Sequence, residues 1–233
     1  MRAALAGFPC RRNDVEGVFT ELVVETGFRE VEADIKLLCL HQTVEGARVG
    51  PVGYTFRQGR DVIPGAAIPA DFAAVLTGHV HRSQVLEEDL AGRTLAAPVL
   101  YPGSIERTSF AERNETKGYM TLVLEPSSTG GRLIDWHFHE LPARPMVSLD
   151  LNLASLRDER PVEWLERQAR HISPDAVVRI RVSGAHPLDS EELRAQTLRS
   201  VVPSTMTLDV RWPKANTRGD TRVQYQRDTR VQG

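Results

Sequence analysis

The sequence contains little cysteine, and this limits the compartment and the kind of fold. Among 233 residues there are two cysteines, Cys10 and Cys39, and neither belongs to a CxxC pair. Two cysteines without a secretory context do not make a disulfide framework, which favours a reducing compartment. Cys39 lies within the apolar run 35–40, where a cysteine is typical of a small buried hydrophobic residue.

Long apolar runs and a strong net charge are also missing. No stretch approaches the roughly 18 apolar residues of a membrane-spanning helix, and the apolar part of residues 1–7 is too short for a signal peptide. We therefore expect a cytoplasmic protein without a membrane partner. The formal net charge of −2 gives no overall attraction to nucleic acid. DNA is not excluded as a substrate, because bound divalent ions and a local basic groove can attract it.

The first part of the chain, residues 1–143, has the pattern of a layered α/β sandwich. Hydrophobic residues make up 41% of the chain and charged residues 26%, so a globular core can form. Asp14 is the predicted N-cap of a helix over 14–26, and the glycine- and proline-rich segment 44–70 predicts a loop with at most one helical turn. Buried strands and hairpins are predicted over 2–8, 35–40, 72–76, 84–90, 94–101, 119–124 and 133–138.

The pattern changes near residue 144, and residues 144–213 predict a separate small domain. Three alternating segments predict strands, around 147–151, 178–182 and 206–212. Pro161 opens one helix between them, and Asp189 with Glu192 marks the start of another that runs to about residue 200. The order is therefore β-α-β-α-β. Residues 214–233 have no apolar periodicity and are predicted to be disordered.

Three histidines follow predicted strands and are candidate metal ligands. His41 follows the run 35–40, while His79 and His81 lie on the turn introduced by Gly78. Imidazole binds manganese, iron and zinc, and open α/β sheets present their ligand-binding residues at the carboxyl ends of strands. On spacing alone, a metal site and hydrogen-bonded structural histidines remain equal alternatives.

A second His-x-His sequence, Trp136-His137-Phe138-His139, lacks a preceding glycine turn. Strand alternation directs Trp136 and Phe138 to the packed face and both histidines to the other face. This pair is interpreted as part of a solvated strand face and not as a site.

Three segments resemble the SbcD family in order and spacing: Leu40–Ala47, Leu76–Gln84 and Tyr101–Thr108. The family consists of calcineurin-like metallophosphoesterases that act as DNA exonucleases and endonucleases in double-strand break repair. The resemblance extends over about residues 3–150 and more loosely to about 212. It implies an incomplete calcineurin-like sandwich in 1–143 and a DNA-facing capping domain in 144–213.

The resemblance also implies ligands and partners. His41 and His79 would bind one metal ion and His81 the other, with two Mn²⁺ ions expected in the complete site. Ser104 and Arg107 would lie on a loop that approaches the DNA phosphate backbone, although structural turn residues are the alternative for both. DNA and an SbcC-type ATPase subunit are the implied partners, but residues 213–233 do not resemble the segment that docks the ATPase.

The family's first motifs, Asp-x-His, Gly-Asp-x-x-Asp and Gly-Asn-His, have no counterpart in this chain. They supply the remaining ligands, including the bridging aspartate. The favoured hypothesis is therefore part of a nuclease subunit, inactive alone, whose amino-terminal half is separately encoded. A non-catalytic DNA-binding remnant and a zinc-binding structural protein are the alternatives.

Overall fold

The computed structural model describes residues 1–157, 159–184 and 193–212 of the chain. It has the expected mixed α/β class and divides into two compact units, Met1–Met146 and Val147–Gly233. The division falls just after the boundary predicted at residue 143. The helix start predicted at Asp189 and the predicted disordered tail, 214–233, lie outside the described residues.

The first unit, every residue of which is described, is built mainly from strands with one α-helix. Its elements are β1 (Ala3–Gly7), α1 (Val15–Glu25), β2 (Ile35–Leu40), β3 (Thr43–Val44), β4 (Arg48–Val49), β5 (Tyr54–Thr55), β6 (Val62–Ile63), β7 (Ala74–Thr77), β8 (Gln84–Glu88), β9 (Thr94–Tyr101), β10 (Lys117–Glu125) and β11 (Arg132–Leu141). The segment 44–70, predicted as a loop, contains short strands and a 3₁₀ turn at Gly65–Ala67. Strands of two residues are too short to leave a period-two pattern in the sequence.

Helix α1 begins where the sequence predicts, but its N-cap residue does not make a capping hydrogen bond. Asp14 is the N-cap residue, yet its side chain makes no capping hydrogen bond and its φ is 59°. The carboxylate accepts a hydrogen bond from Arg60 Nε at 3.4 Å instead. The left-handed backbone at Asp14 departs from the extended conformation that is usual for an N-cap residue, and no capping hydrogen bond forms although the carboxylate lies beside Gly17 in the first turn.

A five-stranded sheet forms the centre of the first unit. Its order is β1-β2-β7-β9-β8, in which the first four strands are parallel and β8 is antiparallel to β9. One face packs against α1 through a core that includes Phe19, Leu38 and Val75. The other face packs against the β10–β11 hairpin, where Met120 and Leu122 cover the buried side chains of β2 and β7. The sheet is therefore the middle layer of three, between α1 and the β10–β11 hairpin.

No strand among the described residues pairs with the outer edge of β1, at one side of this sheet. Strand β1 pairs with β2 on one side only, and its side chains are exposed or half-buried along its whole length. Leu5 is 71% exposed. An edge strand of this kind presents free backbone N–H and C=O groups to another strand.

The second unit has a separate core and the order β-α-β-α-β. Its elements are β12 (Met146–Asn152), α2 (Pro161–Ala169), β13 (Val177–Ser183), α3 (Ala195–Arg199) and β14 (Thr207–Arg211). The strands form a sheet in the order β12-β13-β14 around a core that includes Leu165, Ile180 and Leu198. None of the helices in the described ranges has the length and apolarity that a bilayer span requires.

Candidate metal centre

The candidate histidines lie at the carboxyl ends of neighbouring parallel strands. His41 directly follows β2, and Gly78 and His79 directly follow β7, which pairs with β2. The backbone N–H of Gly78 donates to Leu40 O at 3.1 Å, so the two turns begin side by side. Because parallel strands end at the same edge of a sheet, the fold brings residues 38 positions apart into contact.

Buried hydroxyl groups fix the turn that carries His41. Tyr101 Oη accepts from the backbone N–H of Val44 at 2.8 Å and donates to Gln42 O at 3.1 Å. Thr77 Oγ1 accepts from Gln42 N at 3.2 Å and donates to Gln42 O at 3.0 Å. Burial raises the pKa of the Tyr101 phenol far above its usual range, so this hydroxyl stays protonated and remains a donor. The backbone beside His41 is therefore held rigidly.

Gly78 is required because the His41 ring lies against its backbone. A Cβ atom at this position would lie 2.7 Å from His41 Nδ1, closer than van der Waals contact permits. The edge of the His41 ring that carries Nδ1 therefore faces Gly78. The glycine that marked this motif in the sequence makes room for the imidazole of another strand.

His79 has a strained backbone and a perturbed imidazole. Its φ of 75° lies in the left-handed region, which costs a non-glycine residue of order 1 kcal/mol or more. The ring centres of His79 and His41 are 5.4 Å apart and the ring planes are inclined by 79°. Partial burial, and then the nearness of His41 and His81, lower the pKa of His79. The imidazole is therefore neutral at physiological pH, which is the form that binds metal.

The spacing of the His41 and His79 rings is compatible with one shared ion. With metal–nitrogen bonds of about 2.1 Å, two imidazoles on the same ion have ring centres roughly 5 to 6 Å apart. Each of the two residues is exposed at the surface of the unit, so an ion can reach them. Two imidazoles supply two of the four or more ligands that such an ion needs.

His81 is held by a neighbouring carboxylate. Its Nδ1 lies 3.1 Å from Glu112 Oε1 and 3.2 Å from Thr108 Oγ1. Burial alone would raise the pKa of Glu112, but hydrogen bonds from Lys117, His81 and Thr108 outweigh burial and lower this pKa to about 2. Glu112 is thus a carboxylate at every physiological pH. Partners of this kind orient metal-binding histidines in many proteins.

Behind Glu112 lies Lys117, whose side chain is fully buried. Its Nζ donates to Glu112 Oε2 at 2.7 Å, to His81 O at 3.0 Å and to Glu115 Oε2 at 3.3 Å. Arg82 Nε donates in turn to Glu115 Oε1 at 3.1 Å. We call Glu112, Glu115, Lys117 and Arg82 the ionic cluster. None of its members was predicted from the sequence as a site residue, because their spacing along the chain gives no signal.

A cleft of about 270 Å³ adjoins this arrangement. His79 and His81 line one part of it, and Arg82, Glu112 and Glu115 line another. The walls therefore carry both signs of charge beside the imidazoles of His79 and His81.

The residues present do not make a complete two-ion centre. In the described ranges, no group of three or more histidine, cysteine, aspartate or glutamate side chains is arranged to hold a metal ion. Glu112 is directed at His81 Nδ1 and Lys117, so it supports the site from behind. Two divalent ions need anionic oxygens to bridge and neutralise them, and imidazoles supply none. His41 and His79, with ring centres 5.4 Å apart, supply two donors and do not by themselves complete the coordination of an ion.

Neither a protein-family model nor a curated protein matches this chain.

The two candidate substrate-binding residues, Ser104 and Arg107, make hydrogen bonds within the first unit. Ser104 Oγ donates to Glu106 O at 2.8 Å. Arg107 donates through Nε to Glu115 O and through Nη1 to Arg144 O, both at 3.1 Å. These contacts hold both side chains against backbone carbonyls of the first unit. Ser104 also donates from its backbone N–H to His81 O at 3.2 Å, which joins the loop to the histidine turn.

The second histidine pair lies on the outer face of the β10–β11 hairpin, away from the packed face. His139 stacks on Tyr119 with ring centres 4.8 Å apart, and its Nε2 lies 2.9 Å from Thr121 Oγ1. His137 is exposed and is next to His139, with ring centres 4.6 Å apart. Trp136 is on the opposite face, as the alternation predicts, although 39% of it remains exposed.

Replacing Gly78 with alanine is expected to displace the His41 ring at little cost in stability. The new Cβ would meet the far end of a side chain that can rotate, and not backbone, so the free energy of unfolding should change by less than about 1 kcal/mol. The His41 ring signals in an NMR spectrum should shift, and zinc affinity should fall by roughly tenfold.

Gly59→Ala is the matched control for this substitution. A Cβ at Gly59 would lie 3.9 Å from Val62, which is ordinary contact. An unchanged His41 signal in Gly78→Ala would contradict the packing described between the two turns.

Proposed function

We propose that this chain is the histidine-bearing part of a metal-dependent DNA nuclease subunit of the SbcD type. Residues 1–143 would then be the carboxyl-terminal part of a calcineurin-like metallophosphoesterase domain, and 144–213 its capping domain. The observation that carries the proposal is the convergence of His41, His79 and His81 at one sheet edge, with Gly78 packed against the His41 ring. Hydrolysis of DNA phosphodiester bonds in double-strand break repair is the proposed activity of the complete subunit.

The exposure of the three histidines supports a macromolecular substrate. Each of them is exposed at the surface of the first unit, although His79 is partly shielded by its neighbours. A phosphodiester within a DNA strand is flanked by further nucleotides on both sides, so it needs an open edge and not an enclosed cavity. Mixed charge in the adjoining cleft gives no general attraction to DNA, which agrees with a role for bound cations in holding the phosphate.

The incomplete ligand set is the reason that this chain is proposed to be inactive alone. The carboxylates of a two-manganese centre would come from a separate segment that carries Asp-x-His, Gly-Asp-x-x-Asp and Gly-Asn-His. The unpaired edge of β1 supports this part of the proposal, because it leaves backbone groups free to pair with a further strand. DNA and an SbcC-type ATPase subunit are the proposed partners, in the cytoplasm.

The test begins with the coding sequence that precedes this chain. We expect it to encode the three missing motifs, and we expect its product, purified together with this chain, to hydrolyse linear duplex DNA in the presence of Mn²⁺. This chain alone should release no nucleotides. The His81→Ala variant of the combined preparation should lose at least 100-fold in rate, since a metal ligand is removed.

A variant of His137 provides the control, because this exposed histidine lies on the other face of the hairpin. His137→Ala should leave the rate of the combined preparation unchanged. Unrelated sequence ahead of the chain would refute the split-nuclease proposal. DNA binding without hydrolysis by the combined preparation would favour a non-catalytic DNA-binding remnant, and a stoichiometric zinc ion that withstands dialysis would favour a structural zinc protein.

A further inference from the structure

Glu112 receives hydrogen bonds on both of its carboxylate oxygens. Lys117 Nζ donates to Oε2 at 2.7 Å, and the backbone N–H of Thr108 donates to the same oxygen at 3.4 Å. Oε1 accepts from Thr108 Oγ1 at 2.8 Å and from Ser109 Oγ at 3.2 Å, and it lies 3.1 Å from His81 Nδ1. The carboxylate is only 12% exposed, so its orientation is set by these donors.

The contacts of His81 Nδ1 determine which ring nitrogen carries the proton. Lys117, Thr108 and Ser109 all donate to the oxygens of Glu112, so both oxygens act as acceptors and Nδ1 must donate to Glu112. Thr108 Oγ1, 3.2 Å from the same nitrogen, gives its single proton to Glu112 and can only accept from His81. Both neighbours therefore require a proton on Nδ1, and the neutral ring then has its lone pair on Nε2.

The backbone of His81 is fixed as firmly as its ring. Its carbonyl oxygen accepts from Lys117 Nζ at 3.0 Å and from the backbone N–H of Ser104 at 3.2 Å. The imidazole side chain itself is 44% exposed. One side of the ring is thus anchored through Nδ1, and the rest of the ring is open to solvent beside the cleft.

We infer that Glu112 is a positioning residue that holds His81 in the tautomer protonated on Nδ1, with the lone pair of Nε2 available to a metal ion. This inference deepens the proposed function and rests on it only for the identity of the ion. A residue that served simply as the counter-ion of Lys117 would not determine the His81 tautomer. The two roles can therefore be separated by observing the ring nitrogens directly.

The test uses ¹⁵N NMR of the histidine rings of the full chain, recorded at a pH where the His81 ring carries a single proton. The His81 signals are assigned by their disappearance in His81→Gln. In the wild-type chain, we expect the proton on Nδ1. An Nε2-protonated His81 would overturn the inference by itself, whether or not any variant folds.

Glu112→Gln should reverse the tautomer. Lys117 Nζ and the backbone N–H of Thr108 are both donors, so they select the amide oxygen at the Oε2 position. The amide NH₂ then faces His81 and donates to Nδ1, which moves the ring proton to Nε2. Persistence of the wild-type tautomer in a folded Glu112→Gln chain would show that Glu112 does not control it.

Glu115→Gln is the matched control within the same ionic cluster. Glu115 also contacts Lys117 and pairs with Arg82, but its side chain does not make the contact to His81 Nδ1. We expect this variant to keep the wild-type tautomer. Equal changes in the two glutamine variants would assign the effect to general disturbance of the ionic cluster and would overturn the positioning role.

Adding Mn²⁺ to the same samples separates this inference from the proposed function. Paramagnetic broadening of the His81 signals should require at least tenfold more Mn²⁺ in Glu112→Gln than in the wild type. If the tautomers behave as expected but Mn²⁺ broadens no His81 signal even when the wild-type chain is combined with the separately encoded segment, the positioning role is supported and the proposed metal function fails.

Discussion

Replacing Lys117 with methionine is expected to lower the free energy of unfolding by about 4 kcal/mol. Methionine fills a similar volume but cannot donate hydrogen bonds. It would leave Glu112 and Glu115 without their shared cation, and His81 O without one of its donors. Removal of one partner from a buried ion pair is costly because the remaining charge stays away from water. Urea unfolding of the purified variant, followed by circular dichroism, measures the difference.

Arg132→Met is the control for the loss of a positive charge. Arg132 pairs with Glu125 at 2.7 Å, but the two side chains are 69% and 57% exposed. An exposed pair contributes no more than about 1 kcal/mol, so this variant should unfold almost like the wild type. Equal losses in the two variants would show that the ionic cluster around Lys117 is not a buried network.

The strands and the candidate histidines could be predicted from the sequence because each has a local signal. The apolar runs that became β2 and β7 are short and continuous, as is usual for parallel strands buried on both faces. His41 directly follows the first run and His79 lies two residues after β7, so their common edge follows from parallel pairing. The sequence predicts a turn at Gly78. It does not show that this glycine makes room for the His41 ring, because His41 is far away in the chain.

The ionic cluster could not be predicted, because its members interact over long distances in the sequence. His81 and Glu112 are 31 positions apart, and Lys117 belongs to a hairpin strand in which alternation gives no sign of buried charge. A lysine is almost never fully buried unless it is paired, and the pairs depend on how the loop after β9 folds back. Sequence periodicity reports the faces of strands and does not report the path of such a loop.

The loop after β9 illustrates how a resemblance can identify a segment and leave the roles of its residues open. Ser104 and Arg107 lie in the third segment that resembles the SbcD family. Their side chains bond to backbone carbonyls of the first unit, and the Ser104 backbone N–H bonds to His81 O. Through the backbone N–H of Ser104, this loop supports the position of His81.

Replacing His79 with alanine is expected to weaken binding of a single zinc ion by at least about 100-fold. Zinc is the suitable probe because two imidazoles bind it more strongly than they bind manganese. When two ligands are held at a fixed separation, the second binds intramolecularly, which adds roughly 10²- to 10⁴-fold to the affinity of one alone. The 5.4 Å spacing of the His41 and His79 rings provides this separation. Isothermal titration of the full chain with zinc measures the change.

Zinc binding at this site must be distinguished from zinc binding by the exposed pair on the β10–β11 hairpin, because His137 and His139 are themselves neighbours on one strand face. The double variant His137→Ala, His139→Ala should keep the high-affinity zinc site, and addition of His79→Ala to it should abolish that site. The opposite pattern would assign zinc binding to the hairpin. His41 and His79 would then be structural histidines, held at the sheet edge by the strained turn after Gly78 and not by any requirement for an ion.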